Sequence, residues 1–480
     1  MNAENAVCGR GRSRRVCSAA ALLACAWLAF LACPPSSVAQ GPQTFDTGLG
    51  PVAVAIGDVN GDGRPDLATA NANAHTVSVL LANGTGGFGA HADFASGLNP
   101  RSVVIGDLSG DGKPDLAVAN YGSGTVSVLL GDGMGGFGAK TDFVTGDEPY
   151  QLAIADADAD GRLDLAVTNY ESNTATVLLG DGAGGFRKKT DFPTGIAPYA
   201  VALKDVNGDH LPDLVAASAG TGTVGVRLGK GSGGFGQRTD YDCGGLPNWL
   251  AVGDVNLDGR ADLVVANYTD PHTVSVLLGV LGGFAPRTAF PSGMNTTSVT
   301  IGDMNLDGMP DLVVTNYREA GLVSVLLGDG EGRFPVRSEF DAGPYPYSLA
   351  IGDVNGDGRL DVAASNATGN TVSVLLGNGA GGIVGVPEEA APLAFAIEGL
   401  RPNPARGGRF TVQFTMPTVE PAQLELLDIA GRRVAVRAVD ARAGRQSVVL
   451  AAGRRVPPGI YLVRLTQGTS RGVARIAVLD

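Results

Sequence analysis

Short apolar runs, each cut off by glycine or by a polar cluster, set the rhythm of this chain. Val52-Ala-Val-Ala-Ile56 is followed by Leu67-Ala-Thr-Ala70, then by Thr76-Val-Ser-Val-Leu-Leu81, then by a more polar stretch from Phe88 to about Phe94. The first run is too continuous for a strand with one wet face and suits one covered on both sides. The third run is echoed at Thr125–Leu130, Thr273–Leu278, Val323–Leu327 and Thr371–Leu376. No stretch here carries the 3.6-residue period of an amphipathic helix. Each unit therefore predicts four strands, joined by glycine turns that need positive φ.

Between the first two runs lies Asp58-Val-Asn-Gly-Asp-Gly-Arg-Pro-Asp66. It recurs at Asp107–Asp115, Asp156–Asp164, Asp205–Asp213, Asp254–Asp262, Asp303–Asp311 and Asp353–Asp361, with first aspartates 49 residues apart and a last interval of 50. Four-stranded units at that spacing make propeller blades. The predicted fold class is all-β: a seven-bladed β-propeller over residues 43–386, followed by a small Ig-like β-sandwich. Seven blades close without a free sheet edge. A β-solenoid would need a repeat several-fold shorter. The seventh unit loses its pattern after Gly381-Gly-Ile-Val384 and lacks a fourth strand. Gln43-Thr-Phe-Asp-Thr47 matches Ala92-Asp-Phe-Ala95, so the N-terminal strand is expected to close the last blade.

Within each nine-residue loop, oxygen-bearing side chains fall at positions 1, 3, 5 and 9. They are Asp58, Asn60, Asp62 and Asp66; Asp107, Ser109, Asp111 and Asp115; Asp156, Asp158, Asp160 and Asp164; Asp205, Asn207, Asp209 and Asp213; Asp254, Asn256, Asp258 and Asp262; Asp303, Asn305, Asp307 and Asp311; and Asp353, Asn355, Asp357 and Asp361. Hard cations such as Ca²⁺ take about six to eight oxygens, and alternate residues of a tight loop can aim at one centre. Up to seven Ca²⁺ ions are expected. Turn capping alone needs one such residue, not three carboxylates that would repel without a cation. Asp158 should tighten the third site, and Ser109 is short for a direct ligand. His210 occupies a position where the other loops have glycine and the backbone turns left-handed.

The pattern igDvngDGrpDlavaN…tvsvllGdGxGgF resembles the FG-GAP or VCBS repeat family, related to the propeller of integrin α subunits. The resemblance covers about residues 44–386. It implies Ca²⁺ in hairpin loops on one face, and roles in interaction, with some members enzymes or lectins.

On the other face the repeat relaxes. The residue after each inter-blade proline is Val52, Arg101, Tyr150, Tyr199, Asn248 or Tyr347, with Thr297 where the proline is lost and Trp249 beside Asn248. Neighbouring turns add Tyr121, Tyr170, Tyr268 and Tyr317. Aromatics among variable polar residues suit a carbohydrate or an extracellular protein ligand, and wedging between blades is the competing use. Asp147, Glu148, Glu171 and Arg101 form the one charged cluster there.

The ends read separately. Arg10, Arg12, Arg14 and Arg15 precede an apolar run from Ala19 to Ala32, and Ser37-Val38-Ala39 is a small-residue cleavage site, so residues 1–39 read as a signal peptide. Four of five cysteines lie in it, and Cys243 remains as a packed residue rather than a reactive thiol. Residues 387–393 read as a linker. Residues 394–480 hold short alternating strands, and Pro402-Asn-Pro404, Leu427-Asp-Ile-Ala-Gly431 and Pro458-Gly-Ile-Tyr461 resemble the C-terminal sorting domain of type IX secretion cargo and the Ig-like domain of flagellar hook-capping proteins. That resemblance implies partners in a secretion or attachment machinery, and a secreted or cell-surface bacterial location. An Ig-like spacer is the plainer alternative.

Net charge is −13, and the loops alone hold 22 aspartates. From Glu388 onward the sign reverses, with 13 arginines against 8 acids. An acidic repeat region argues against nucleic acid as a partner, although most of the charge sits in the loops and filled cation sites would offset much of it. No later apolar stretch could span a membrane, and a monomer is expected. Gly-x-Gly-x-x-Gly at Gly131, Gly180, Gly229 and Gly377 joins two strands, with no helix to seat a phosphate. His75, His91, His210 and His272 lack metal-ligand spacing, and no catalytic signature stands out. The expected role is a calcium-binding recognition or adhesion module. A polysaccharide-acting lyase or hydrolase, or a purely structural surface protein, is the alternative.

Overall fold

The computed structural model describes residues 42–269, 272–385, 396–401, 403, 405–406, 409–416, 421–439, 444–451, 456–468 and 470–479. The leader and the linker 387–393 fall outside the described residues.

The apolar runs become strands of six four-stranded antiparallel sheets and a seventh of five strands. Blade 1 runs Pro51–Gly57, Asp66–Asn71, Thr76–Leu80 and Ala92–Ala95, and blades 2 to 6 repeat that order. The first strands of successive blades adjoin, and Pro346–Gly352 of blade 7 meets Pro51–Gly57 of blade 1, so the ring closes. The second strand of every blade is buried along its whole length. That burial accounts for the unbroken apolar runs, since both faces pack against neighbouring blades.

Ring closure is shared. Gln43–Asp46 pairs with Thr371–Val374 of blade 7, as the sequence predicts. The missing strand is only half missing, however: Ile383–Gly385 pairs with Leu375–Gly377 and supplies the other half of the outer edge. Two short segments from different parts of the chain together do what one continuous outer strand does elsewhere.

Two contacts recur between blades. At six of the seven interfaces the aromatic of the outer strand meets, edge to face, the phenylalanine that follows the glycine hairpin of the next blade; at the seventh, Phe340 packs against a cluster that holds Ile383 instead. Phe94–Phe137, Phe143–Phe186, Phe192–Phe235, Tyr241–Phe284 and Phe290–Phe334 have ring centroids 4.8–5.3 Å apart. Phe45–Phe88, at 5.2 Å and 79°, carries the same contact across the closure. In addition, a hairpin glycine lies against the last leucine of the preceding blade's third strand. A Cβ on Gly86, Gly135, Gly184, Gly233, Gly332 or Gly381 would sit 2.5–3.0 Å from Leu376, Leu81, Leu130, Leu179, Leu278 or Leu327 respectively. No larger residue fits that approach.

A polar network lies inside the blades. Asn71 donates to Thr76 (3.0 Å) and Ser78 (2.8 Å), and Ser78 donates to Asp93 (2.6 Å). Asn120 and Asn169 repeat this arrangement.

The C-terminal part forms a three-stranded sheet (Ala396–Arg401, Arg409–Met416, Gly444–Ala451) and a five-stranded one. Its core includes Phe410, Phe414, Leu424, Leu426, Val463 and Ile476. Glu425 is buried and is held by Arg433 (2.7 Å) and Arg464 (2.6 Å).

Phe45→Ala removes both a core contact and the aromatic link across the closure. Large-to-small changes of this kind cost about 3 kcal/mol when fully buried. Phe45 is half-buried, so a loss of about 2 kcal/mol is expected in urea unfolding. An unchanged midpoint would mean that Ile383–Gly385 closes the ring unaided.

Candidate functional site

Each nine-residue loop links the end of a first strand to the start of the second. In loop 1 Asp58 accepts hydrogen bonds from the N–H groups of Gly61 (2.8 Å) and Gly63 (2.7 Å). Asn60 accepts from Asp62 N–H (3.0 Å), and Asp62 from Arg64 N–H (2.9 Å). These bonds curl the loop so that the side chains at positions 1, 3 and 5 stay together. Position 9 does something the sequence did not disclose. Asp66 is fully buried, accepting Val59 N–H (3.1 Å) with one oxygen and Ala82 N–H (2.7 Å) with the other. It therefore ties its loop to the next hairpin of the same blade. Asp115, Asp164, Asp213, Asp262, Asp311 and Asp361 are equally buried and make the equivalent pair of bonds.

Burial pushes the Asp164 carboxyl up to about 6, with Asp158 and Asp156 adding to the effect, and Asp361 likewise to about 6 through burial, Asp357 and Asp353. Asp66, Asp213, Asp262 and Asp311 shift in the same direction for the same reason. Among the described residues no cationic side chain pairs with these position-9 carboxylates, since the loop arginines and lysine pair with position 5 instead; a cation in the loop would favour their charged form.

Loop 3 brings carboxylate oxygens of Asp156, Asp158 and Asp164 within 4.8 Å of one another. One oxygen of Asp158 is buried without a hydrogen-bond partner. That orphan atom and the all-oxygen donor set fit a hard divalent cation. Asp160 turns instead to Arg162 (3.3 Å) and Arg187 (2.6 Å). Arg187 also pairs with Asp158, a residue that sequence reasoning missed. The signal existed: Arg187 follows Phe186 where Phe88, Phe137 and Phe235 are each followed by glycine. A guanidinium beside the extra carboxylate offsets the tightening expected from Asp158. His210 is left-handed as expected (φ 67°), with its ring 97 % exposed and 3.9 Å from Asp205. Ala159, Leu257 and Leu306, at position 4, share that strained region (φ 59–61°).

The residues after the inter-blade prolines begin first strands, at the opposite end from the loops. Tyr150 and Tyr347, on blades 3 and 7, share a hydrogen bond between their hydroxyls. Tyr150 is buried and stacks edge-on to Tyr199 (4.6 Å), which in turn meets Tyr170 (5.3 Å). Tyr317 lies 5.8 Å from Tyr347. Arg101 sits over Tyr121 (5.2 Å) and Tyr150 (5.8 Å). A cavity of about 480 Å³ opens here, lined by Tyr170, Tyr199, Asn248, Tyr268, Thr297, Tyr317 and Tyr347. Of the residues predicted for this face, Tyr150 and Tyr121 back that wall rather than line it. Trp249 is turned away. It packs against the cluster of Val264, Ala266 and Val299, because neighbouring strand residues face opposite sides and Asn248 takes the cavity side. Tyr345, adjoining Tyr317 at 5.0 Å, was not anticipated.

Four of these phenols are held in the protonated form. Burial, with Tyr170 nearby, pushes Tyr199 up to about 12, and burial raises Tyr150, Tyr317 and Tyr121, the last also through Glu148. Glu148 accepts from the Tyr121 hydroxyl (2.6 Å). No ion pair joins Glu148 to Arg101 among the described residues, so the charged cluster does not assemble into an acid–base pair.

A non-glycine residue in left-handed conformation costs about 1 kcal/mol. His210→Gly is expected to raise stability by about that amount in metal-free urea unfolding. A variant no more stable than the parent would show that the surrounding loop already relieves the strain.

Comparison with known families places these features. The FG-GAP-like repeat description matches residues 58–118, 107–167, 156–216, 205–265, 254–314 and 303–364, and FG-GAP repeat matches 345–386. The secretion system C-terminal sorting domain matches 400–479, which directs the chain to the cell surface or the extracellular space. No described helix is long and apolar enough to cross a membrane. Curated proteins gave no match. Among solved structures, BBS1N in complex with ARL6DN is similar at TM-score 0.50 and 15% identity, over 73% of this chain and 97% of that one; this is a likeness of fold. Two structures titled putative 6-phosphogluconolactonase, from Bacteroides uniformis and Bacteroides fragilis, score 0.48 at 12% and 16% identity. They cover 72% and 73% of this chain, and 95% and 96% of theirs. Six registered matches spanning residues 58 to 364, and a seventh unit to 386, identify the repeats: the chain belongs to the FG-GAP-like repeat family.

Proposed function

We propose that this chain is an exported, calcium-binding recognition module whose tyrosine-lined cavity takes a carbohydrate or a group on an extracellular protein. The observation that carries the reading is the convergence of five tyrosines on one cavity, at the end of the strands opposite the aspartate loops. Aromatic faces offer stacking surface, and protonated hydroxyls and the Asn248 amide offer directional hydrogen bonds. Such a mixture suits sugars and polar side chains.

The Ca²⁺ part of the proposal rests on the donor sets. In loop 3 Asp156, Asp158 and Asp164 would hold the ion, with Asp160 turned to Arg162 and Arg187; in the other loops positions 1, 3, 5 and 9 are the proposed ligands. The third site is favoured by the unpartnered Asp158 oxygen. A bound ion would add to the positive charge that Arg187 brings there. The tail, residues 394–480, is read as the export and attachment signal, with the propeller as its cargo.

Chelation should lower the melting midpoint by several degrees, and excess Ca²⁺ should restore it. A ligand at a hundred times its Kd stabilises the native state by about 2.7 kcal/mol per site. An identical midpoint with and without chelator would reject the calcium reading. For the cavity, a glycan array followed by calorimetry on the hits is the measurement. Tyr199→Ala and Tyr317→Ala are each expected to weaken binding about tenfold or more with little change in melting. Turnover of a polymer, lost on Glu148→Gln, would replace binding with catalysis. Deleting residues 394–480 should trap a folded propeller in the periplasm, and surface delivery without the tail would reduce it to a spacer.

A further inference from the structure

Loop 3 departs from its six sisters at two positions, and the two departures touch. Position 3 is asparagine in five loops and serine in one, and only Asp158 puts a carboxylate there. The residue after the hairpin aromatic or isoleucine is glycine, alanine, proline or valine in the other blades, and only Arg187 carries charge. In four sister loops the position-3 amide donates to the position-5 carboxylate, as Asn60 does to Asp62 (3.1 Å) and Asn305 to Asp307 (2.8 Å). An ionised Asp158 has no proton to give Asp160. Arg187 makes the link instead, pairing with Asp158 and with Asp160 (2.6 Å), and it also donates to the Gly180 carbonyl.

The two oxygens of Asp158 keep different company. Arg187 holds one, and the other is buried with no hydrogen-bond partner. The Asp158 side chain is only 8% exposed, and Asp156 and Asp164 bring oxygens within 4.8 Å of it. The extra carboxylate thus has a counter-charge from its own chain. The same guanidinium acts on any cation that enters. It repels the ion as a like charge, and it keeps Asp160 turned aside, so that three carboxylates face the ion and not four. Among the described residues no other loop receives an arginine from its hairpin.

We propose, on the calcium reading given above, that Arg187 sets the affinity of site 3: it holds the loop before an ion arrives and makes this site the last of the seven to fill. Ca²⁺ affinity is tuned over orders of magnitude by the charge on the ligands and the rigidity of the site. Arg187 moves both, lowering the net negative charge and fixing Asp158 and Asp160 to one fork of donors. Site 3 then responds to calcium at concentrations where its sisters are already loaded, which makes blade 3 the calcium-responsive blade of the ring.

The test is calorimetric titration of the chelator-stripped full chain with Ca²⁺, alongside melting in chelator. Asp156→Asn, which removes a position-1 ligand, identifies the stage that belongs to site 3. We expect one weak site in the parent that this variant lacks. Arg187→Gln should tighten that site at least tenfold and past its sisters, because Asp158 then adds a carboxylate that no sister loop has. In chelator the same variant should melt several degrees below the parent, and excess Ca²⁺ should close the gap. In an Asp158→Asn background, where the sister-loop amide is restored, Arg187→Gln should cost no stability. A site 3 left unchanged by Arg187→Gln would overturn the proposal; a weakened one would do so too, making Arg187 a residue that positions Asp158. An equal loss of stability in the Asp158→Asn background would also overturn it, and that arm stands even if the single variant does not fold. Calcium bound by no loop would reject the calcium reading and this proposal with it, whereas sister loops that bind beside a site 3 indifferent to Arg187 would sink this proposal alone.

Discussion

The position-9 aspartate carries the structure of each blade. A carboxylate that is fully buried is expensive unless its oxygens are bonded. Here both are, one to the amide at the start of its own loop and the other to the amide where the third strand turns. One side chain thus joins three strands of a sheet at the end where the chain reverses twice. In loop 3 its oxygens also lie within 4.8 Å of those of Asp156 and Asp158. The residue that orders the loop recurs, fully buried, in all seven repeats.

Joining blades to one another falls to contacts that carry no charge. Edge-to-face aromatic pairs at close to one spacing recur at six interfaces, and leucines covered by glycines at six. A ring of near-equivalent interfaces closes only if every blade subtends about the same angle. This accounts for the regular spacing of the repeats along the chain. The last interface is built from segments far apart in sequence. Phe45 meets Phe88 while its own strand pairs with blade 7, so the N-terminal strand takes part in closing the propeller.

At the channel mouth the repeat supplies positions and its departures supply chemistry. Seven equivalent sites hold valine, arginine, tyrosine, tyrosine, asparagine, threonine and tyrosine. A symmetric ring would make a symmetric pore. The Tyr150–Tyr347 bond instead bridges blades 3 and 7, with the 480 Å³ cavity to one side and Arg101 behind Tyr150. The two ends of the strands therefore divide the work, with charge gathered at the loops and aromatic surface at the mouth.

Much was legible from the chain alone because it is local. A nine-residue loop, a strand period of two and a spacing near 49 residues all lie within one repeat, so the all-β blades, the oxygen-rich loops and the N-terminal strand of blade 7 could be read directly. The tyrosines could be assigned to a face, because strand direction alone decides it. What the chain did not disclose depends on the ring. Arg187 reaches Asp158 across 29 residues, and Tyr150 reaches Tyr347 across 197. Trp249 faces a neighbouring blade rather than the cavity. The second half of the closing edge, Ile383–Gly385, is too short to show a strand pattern of its own. Blade 5 has one residue fewer between Leu278 and Phe284 than blade 2 has between Leu130 and Phe137, and only the structure shows that the shorter segment pairs Gly279 with Phe284 and Val280 with Gly283. Local sequence determines which residues can share a loop or a strand face. Only closure of the ring decides which of them meet, because such contacts depend on the positions of whole blades.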